Sequence, residues 1–207
     1  MEKIPSEFDL SGKVALVTGA GRGMGYHIAL ALARYGADLI VCSRTLSELE
    51  KVGKEIESLG RKVFVQRADL TKIPEIQAMV DESVRAFGRI DILVNNAGTS
   101  KRGPFPAISD AEWQADLDLK LFAAIRLARL AWPGMEARGW GRIINVLNIG
   151  AKAPPAEGAP TAVSRAAGMA LTKVLANEGA PRGILVNALL VGIIESAQWR
   201  RRHAAET

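Results

Sequence analysis

The sequence predicts an α/β fold built on a doubly wound parallel sheet, and three observations carry that expectation. Short apolar runs alternate with longer stretches of helical periodicity, the rhythm of repeated βαβ units. A cluster of glycines from Gly19 to Gly25 stands between the first apolar run and the first helical stretch, where a chain leaving a strand must turn tightly. The 207 residues, 48% hydrophobic and 24% charged, suffice for one domain over residues 1–207 with a substantial core, and they are not the composition of a disordered chain. Right-handed crossovers in such a chain leave a crevice at the carboxyl ends of the strands.

The elements follow in order. Val14 to Val17 is the first buried strand, and Gly23 to Gly36 its helix, stopped by Gly36. Asp38 to Cys42 is the second strand. Thr45 and Glu48 have capping-box spacing for the next helix, which buries Leu49, Val52, Ile56 and Leu59 and ends at Gly60. Val63 to Val65 is the third strand, and Pro74 opens a helix carrying Ile76, Val80, Val84 and Phe87, with Gly88 as its stop. Ile90 to Val94 is the fourth strand. Ser109 and Glu112 cap a long helix with Trp113, Leu117, Leu121, Ala124 and Ala128 on one face. Arg142 to Leu147 is the fifth strand, residues 161–177 a helix of small residues after a Pro-rich loop, and Leu185 to Leu190 the sixth strand.

Composition excludes several function classes. One cysteine, Cys42, allows neither an intramolecular disulfide nor a cysteine-rich zinc site, and the two histidines, His27 and His203, are too few for a His-based metal centre, so no metal is expected. No segment has the apolar length to span a bilayer, so no membrane role is expected. The charged N-terminus lacks an apolar signal core, and a cytoplasmic location is the expectation. The net charge of +5 suits anionic ligands without choosing among them. Arg200, Arg201 and Arg202 form a basic run of the kind that is usually a solvated tail, and without a recognisable module or interleaved aromatics no nucleic-acid partner is expected.

The segment Thr18-Gly19-Ala20-Gly21-Arg22-Gly23-Met24-Gly25 has a physical task. Its glycines permit a tight turn, admit a pyrophosphate close to the backbone and seat the next helix, whose N-terminus offers free N–H groups and a positive dipole end. Together with Asn95-Asn96-Ala97-Gly98 after the fourth strand, this spacing resembles the short-chain dehydrogenase/reductase family, from about Lys13 to Ser196. The resemblance implies a Rossmann fold and a nicotinamide dinucleotide cofactor. It further implies that Asp69, with Leu70, flanks the adenine, that Asn95, Ala97 and Gly98 lie beside the ribose, and that Met24 and Gly25 offer backbone to the pyrophosphate. Where an acidic residue would favour a free 2′-hydroxyl, this chain has Ser43-Arg44, and Arg22 lies inside the glycine loop. Two guanidinium groups near that corner favour a 2′-phosphate, so NADP(H) is expected over NAD(H).

Typical members of the family use Asn, Ser, Tyr and Lys, the tyrosine exchanging a proton with the substrate oxygen. Residue by residue, the resemblance places these roles on Lys120, Asn148, Thr161 and Arg165, all four substituted. The only tyrosines, Tyr26 and Tyr35, lie in the first helix. A threonine hydroxyl is a far weaker acid than a phenol near pH ~10. Arg165 lies one turn after Thr161 on the same face and can hold a ribose, but it does not exchange protons near neutrality. Lys120 and Lys152 are the candidates for a replacement acid, provided burial or a neighbouring cation lowers the pKa. Gly192 and Ser196 match the segment that closes over the nicotinamide, with Val191 in place of its proline. Relatives continue past Thr207 into a covering segment, a helix and a last strand, so the sheet is expected to lack its usual last strand and to expose an edge.

The expected activity is that of an oxidoreductase on a small carbonyl or secondary-alcohol substrate, without the usual tyrosine step. The rival is a non-catalytic NADP(H)-binding subunit or sensor that pairs with an active relative. A homo-oligomer or mixed oligomer is expected. The alanine-rich faces at Ala123-Ala124 and Ala166-Ala167 suit packing between subunits and packing within the chain equally.

Overall fold

A computed structural model describes residues 5–194. Six strands form one parallel sheet: β1 Val14–Thr18, β2 Asp38–Ser43, β3 Val63–Arg67, β4 Ile92–Asn95, β5 Gly141–Asn148 and β6 Ile184–Val191. Their spatial order is β3-β2-β1-β4-β5-β6, every neighbouring pair running parallel. The chain works outward from β1 to β3, then crosses back to lay β4 on the other side of β1. That reversal opens the crevice between β1 and β4 at the carboxyl rim. This is the doubly wound Rossmann arrangement that the sequence predicts.

The helices are α1 Gly23–Arg34, α2 Leu46–Ser58, α3 Ile73–Phe87, α4 Asp110–Leu117, α5 Ala123–Ala137 and α6 Thr161–Gly179. On one face of the sheet, Ala29 and Leu30 of α1 and Leu49, Val52 and Ile56 of α2 pack on Val17, Leu39 and Val94. On the other, Ile76 and Met79 of α3 and Leu127 and Met135 of α5 pack on Leu16, Ile40 and Ile143. Each such buried Leu, Ile, Val or Met side chain contributes about 1.5–3 kcal/mol. Beneath the crevice, the buried Asp91 carboxylate accepts from the Val14 N–H at 3.0 Å and pairs with Arg89 at 2.7 Å, which fixes the start of β1 against β4.

Three local expectations are corrected. Thr45 makes no side-chain cap; its N–H donates to the Ser43 hydroxyl at 3.3 Å, and Glu48 lies 3.5 Å from Arg22. The Ser109 and Glu112 box does form. In α3 the buried stripe runs through Ile76, Met79, Val80 and Ser83, leaving Val84 exposed. The expected long helix is broken by a π turn, Asp118–Phe122, between α4 and α5. The wider turn shifts the register. Leu117 and Leu121 become half-buried, while the charged Asp116 and Lys120 become the buried positions. Ala123 and Ala124 are buried within the chain's own core, so they are not available to another subunit.

β6 is an edge strand among the described residues, with Leu185 and Leu189 half exposed. No helix among these residues is long and apolar enough to cross a membrane, and they contain no cluster of three metal-binding side chains.

Candidate functional site

The parallel sheet brings the ends of all six strands to one rim, and with them most of the predicted site residues. Thr18 closes β1. Its buried hydroxyl donates to the Val94 carbonyl at 3.1 Å and accepts from the N–H groups of Asn96 and Ala97 at 2.9 and 3.0 Å. One small polar side chain thereby docks the Asn-Asn-Ala-Gly turn against the glycine loop. Asn96 completes the tie by donating to the Thr18 and Gly19 carbonyls at 2.9 and 3.3 Å.

Gly19 takes φ +65°, and a Cβ there would stand 2.9 Å from the Ala97 Cα. A Cβ at Gly25 would run into the Gly19 carbonyl. The loop therefore presents bare backbone to the rim and allows α1 to start close to the sheet. The first turn of α1 carries no acidic side chain, so no acid of its own offsets its free N–H groups and positive end. Gly21 lies against Ser43 and Glu48, Gly23 takes φ +58° in open space, and Met24 is exposed. This is a cradle shaped for an anion close to main chain.

Along the rim towards β3, Ser43 ends β2, with its hydroxyl 3.3 Å from the Thr45 N–H, and Arg44 is exposed beside it. Asp69 is half-buried beyond β3, and Leu70 is buried. The Thr71 N–H and hydroxyl donate to Asp69 at 3.0 and 2.9 Å, holding its carboxyl below its usual range.

Towards β5, Asn95 donates to the Asn145 side chain at 2.8 Å, and Asn145 donates to Thr172 of α6 at 2.9 Å. This buried amide chain escaped the sequence reading, because Asn145 and Thr172 sit in apolar segments with no motif around them. Gly98 receives the Arg165 guanidinium, whose Nη2 would stand 2.5 Å from a Cβ at that position. Arg165 also donates to the Val146 carbonyl at 2.9 Å. The Asn95 Oδ1, the Asn148 Oδ1 and the Arg165 Nε are buried with no hydrogen-bond partner among the described residues.

Three of the four predicted catalytic positions meet in one buried cluster, and Asn148 stands apart at the end of β5. The Lys120 ammonium pairs with Asp116 one turn earlier and donates to the Thr161 hydroxyl at 2.8 Å. Asp116 also accepts from the Ser164 hydroxyl at 2.6 Å. Neither Asp116 nor Ser164 is visible from the sequence as a site residue, although each lies one turn from a named position. The Thr161 hydroxyl is committed further. It donates to the Lys101 carbonyl at 2.8 Å and accepts from the Lys101 N–H at 3.1 Å. Lys101 is itself held by Glu112 at 2.5 Å, and that pairing, with the Ser109 N–H and hydroxyl, brings the Glu112 carboxyl down to about 2. The Gly103 N–H donates to the Glu157 carbonyl at 3.1 Å, so the loop after β4 straps across this corner.

Burial lowers the Lys120 pKa to about 8, with the positive charge of Arg165 acting in the same direction and Asp116 opposing both. Burial also lowers the Arg165 pKa. Lys152 is solvent-exposed. The sign of the stability effect follows. Between about pH 8 and the usual 10.5, an unfolded chain keeps the Lys120 proton that the folded chain has released, so stability rises with pH across that window. Urea unfolding at pH 8 and pH 10 should show this rise in the wild type. It should be missing from a variant carrying Asp116→Leu and Lys120→Met together.

Gly192 follows the end of β6 with open space around it, on the same rim as the other site residues. The predicted position Ser196 lies outside the described residues.

Known proteins share this arrangement. The sequence matches the short chain dehydrogenase family over residues 13–207. It is 36% identical to the hydroxynaphthalene reductase of Aspergillus fumigatus over 192 residues, 92% of this chain and 70% of that protein. Among solved structures, L-sorbose reductase from Gluconobacter frateurii, complexed with NADPH and L-sorbose, superimposes with a TM-score of 0.93 at 35% identity, covering 97% of this chain and 76% of that one. An NAD+-bound xylitol dehydrogenase does so with a TM-score of 0.88 at 30% identity, covering 93% and 75%. With its glycine loop, its Asn-Asn-Ala-Gly turn and its strand order in place, the chain belongs to the short chain dehydrogenase family.

Proposed function

We propose that this chain binds NADP(H) across the crevice between β1 and β4 and acts as an oxidoreductase on a small carbonyl or secondary-alcohol substrate, without a tyrosine proton donor. The observation that carries the cofactor reading is the cradle. Gly19 and Gly25 leave no room for a side chain, α1 opens without an acid, and three polar atoms at the rim are buried unpaired. An orphaned buried polar atom costs about 1–3 kcal/mol, which a ligand's hydroxyls and amide would offset. The residues present fit the nucleotide: the glycine loop for the pyrophosphate, Asp69 for the adenosine, Asn95 and Arg165 for the nicotinamide ribose, Arg22 and Arg44 for a 2′-phosphate. The nicotinamide, when bound, supplies or accepts the hydride. The protein's own part is to hold the ribose through Arg165 and to present the Asn148 amide to a substrate oxygen. Relatives with NADPH and with NAD+ both exist, so the preference for NADP(H) rests on Arg22 and Arg44 of this chain.

A specific observation favours a second reading, a non-catalytic NADP(H)-binding subunit or sensor, in a homo-oligomer or paired with an active relative. Thr161 stands where the family's proton donor belongs by resemblance, yet its hydroxyl is saturated by Lys101, Lys120 and Asp116. The Lys120 side chain is fully buried, so its ammonium does not reach a substrate unless α4 or the Lys101 strap moves.

Calorimetric titration with NADPH and NADH in parallel tests the first part. Saturable binding tighter for NADPH is the expected result. No binding to either, by folded protein, overturns both readings. Steady-state reduction of a panel of small ketones and aldehydes then divides them. Turnover lost in Asn148→Ala supports the enzyme. Binding without turnover, together with co-purification of a relative that carries the tyrosine, supports the subunit.

A further inference from the structure

We infer that Glu48 sets how strongly this chain distinguishes a 2′-phosphorylated nucleotide from an unphosphorylated one, by competing with the phosphate for Arg22. The inference rests on the NADP(H) reading above. Its basis is a carboxylate in the corner that Arg22, Ser43 and Arg44 make at the ends of the glycine loop and β2. Glu48 lies in the first turn of α2, and its Oε1 is 3.5 Å from the Arg22 Nη1. Its other oxygen closes on the glycine loop. A Cβ built on Gly21 would stand 2.9 Å from Oε2 and 3.1 Å from the Ser43 hydroxyl oxygen. Glu48 therefore occupies the space between the loop and the end of β2.

The spacing of Thr45 and Glu48 gives this glutamate a local task, capping α2, that it does not perform. It is turned towards the guanidinium instead, and its side chain remains only about one-third exposed while Arg22 is three-quarters exposed. The cations around the corner do not share this arrangement. Arg44 is exposed and makes no ion pair with Glu48, while the Arg67 Nε donates to the Arg44 carbonyl at 3.3 Å. Glu48 thus restrains one of the two arginines that face a 2′ substituent, while the charge of the other acts on Asp69.

The chemistry of the two nucleotides differs at this point alone. A 2′-phosphate must draw Arg22 away from Glu48 and then sit near a carboxylate of like charge. A 2′-hydroxyl meets no such opposition, because it can donate to the same carboxylate. Glu48 therefore weakens NADPH binding and leaves NADH binding level or slightly favoured. The protein tolerates both nucleotides more evenly than its two arginines alone would dictate.

The test is Glu48→Gln, which keeps the shape and removes the charge. Titrations with NADPH, NADH and adenosine 2′,5′-bisphosphate are run on the wild type and the variant at ~50 mM salt, where an exposed pair is least screened. The affinity ratio of NADPH to NADH is expected to rise about fivefold in the variant, the upper worth of an exposed ion pair. Adenosine 2′,5′-bisphosphate should gain in parallel with NADPH, while NADH stays within twofold or weakens. A wild type that prefers NADPH by a ratio the variant does not change overturns the inference and leaves the cofactor reading standing. A wild type that binds neither nucleotide overturns both.

Discussion

Replacing Asp116 with asparagine is expected to destabilise the protein by about 3–5 kcal/mol, because it leaves the fully buried Lys120 ammonium without its counter-charge. For a chain of this length that corresponds to a fall in Tm of roughly 10 °C. Lys120→Met should cost a similar amount, since it strands the Asp116 carboxylate with the Ser164 hydroxyl as its donor, the Thr161 hydrogen being given to the Lys101 carbonyl. The double variant Asp116→Leu with Lys120→Met should recover most of the loss, because two apolar side chains need no mutual compensation at that depth. Urea unfolding of the four proteins measures the cycle. Because Asp116 raises the Lys120 pKa, its loss moves proton release below about pH 8, so the penalty of Asp116→Asn should shrink as pH rises towards about 8 and level off above it. Single variants that each lose less than ~1 kcal/mol, the ordinary range for an exposed pair, would mean that the pair is hydrated and not the buried hub described above.

The same cluster shows what the sequence made legible and what it hid. The glycine loop, the Asn-Asn-Ala-Gly turn, the Gly88 stop and the Ser109–Glu112 cap are local devices. Each is signalled by residues within a few positions of one another, so spacing alone reveals it, although the fold then ties the glycine loop to the Asn-Asn-Ala-Gly turn. The Thr45–Glu48 box has the same spacing and does not form: the Thr45 N–H goes to the Ser43 hydroxyl, and the Glu48 carboxylate pairs with Arg22, more than twenty residues earlier. Asp116 and Lys120 hid for a related reason. Charged residues on a helix are expected to face water, and the helical periodicity pointed to Leu117 and Leu121 as the inward face. The π turn at Asp118–Phe122 inserts an extra residue into the spiral, and no hydrophobic pattern announces it. The turn carries Lys120 inwards to meet α6, which supplies Thr161 and Ser164 from more than forty residues away. Fold was therefore readable from periodicity and turn chemistry. The composition of this buried corner required knowing which faces of α4 and α6 meet.

Installing Thr161→Tyr together with Arg165→Lys is expected to raise NADPH-dependent reduction of small carbonyl compounds by about 10²- to 10⁴-fold over the wild-type chain, the usual worth of a positioned general acid. Two changes in the structure would act together. A phenol would stand where Thr161 now offers a hydroxyl too weakly acidic for the task, with the lysine one turn later able to lower its pKa. Removing the Thr161 hydroxyl would also release the Lys101 N–H and carbonyl, two of the ties that strap the loop after β4 across this corner. Thr161→Val separates these effects, since it frees the strap without supplying an acid. It should leave turnover at the wild-type level while making the Lys101 backbone exchange amide hydrogens faster. In the double variant, kcat should depend on a group titrating below the ordinary phenol value of about 10. If the double variant folds and binds NADPH as tightly as the wild type but gains no turnover, Thr161 is not the proton-donor position. If Thr161→Val alone raises turnover, the obstacle in the native chain is the strap, and the acid must come from elsewhere, with Lys120 the nearest buried group of suitable pKa.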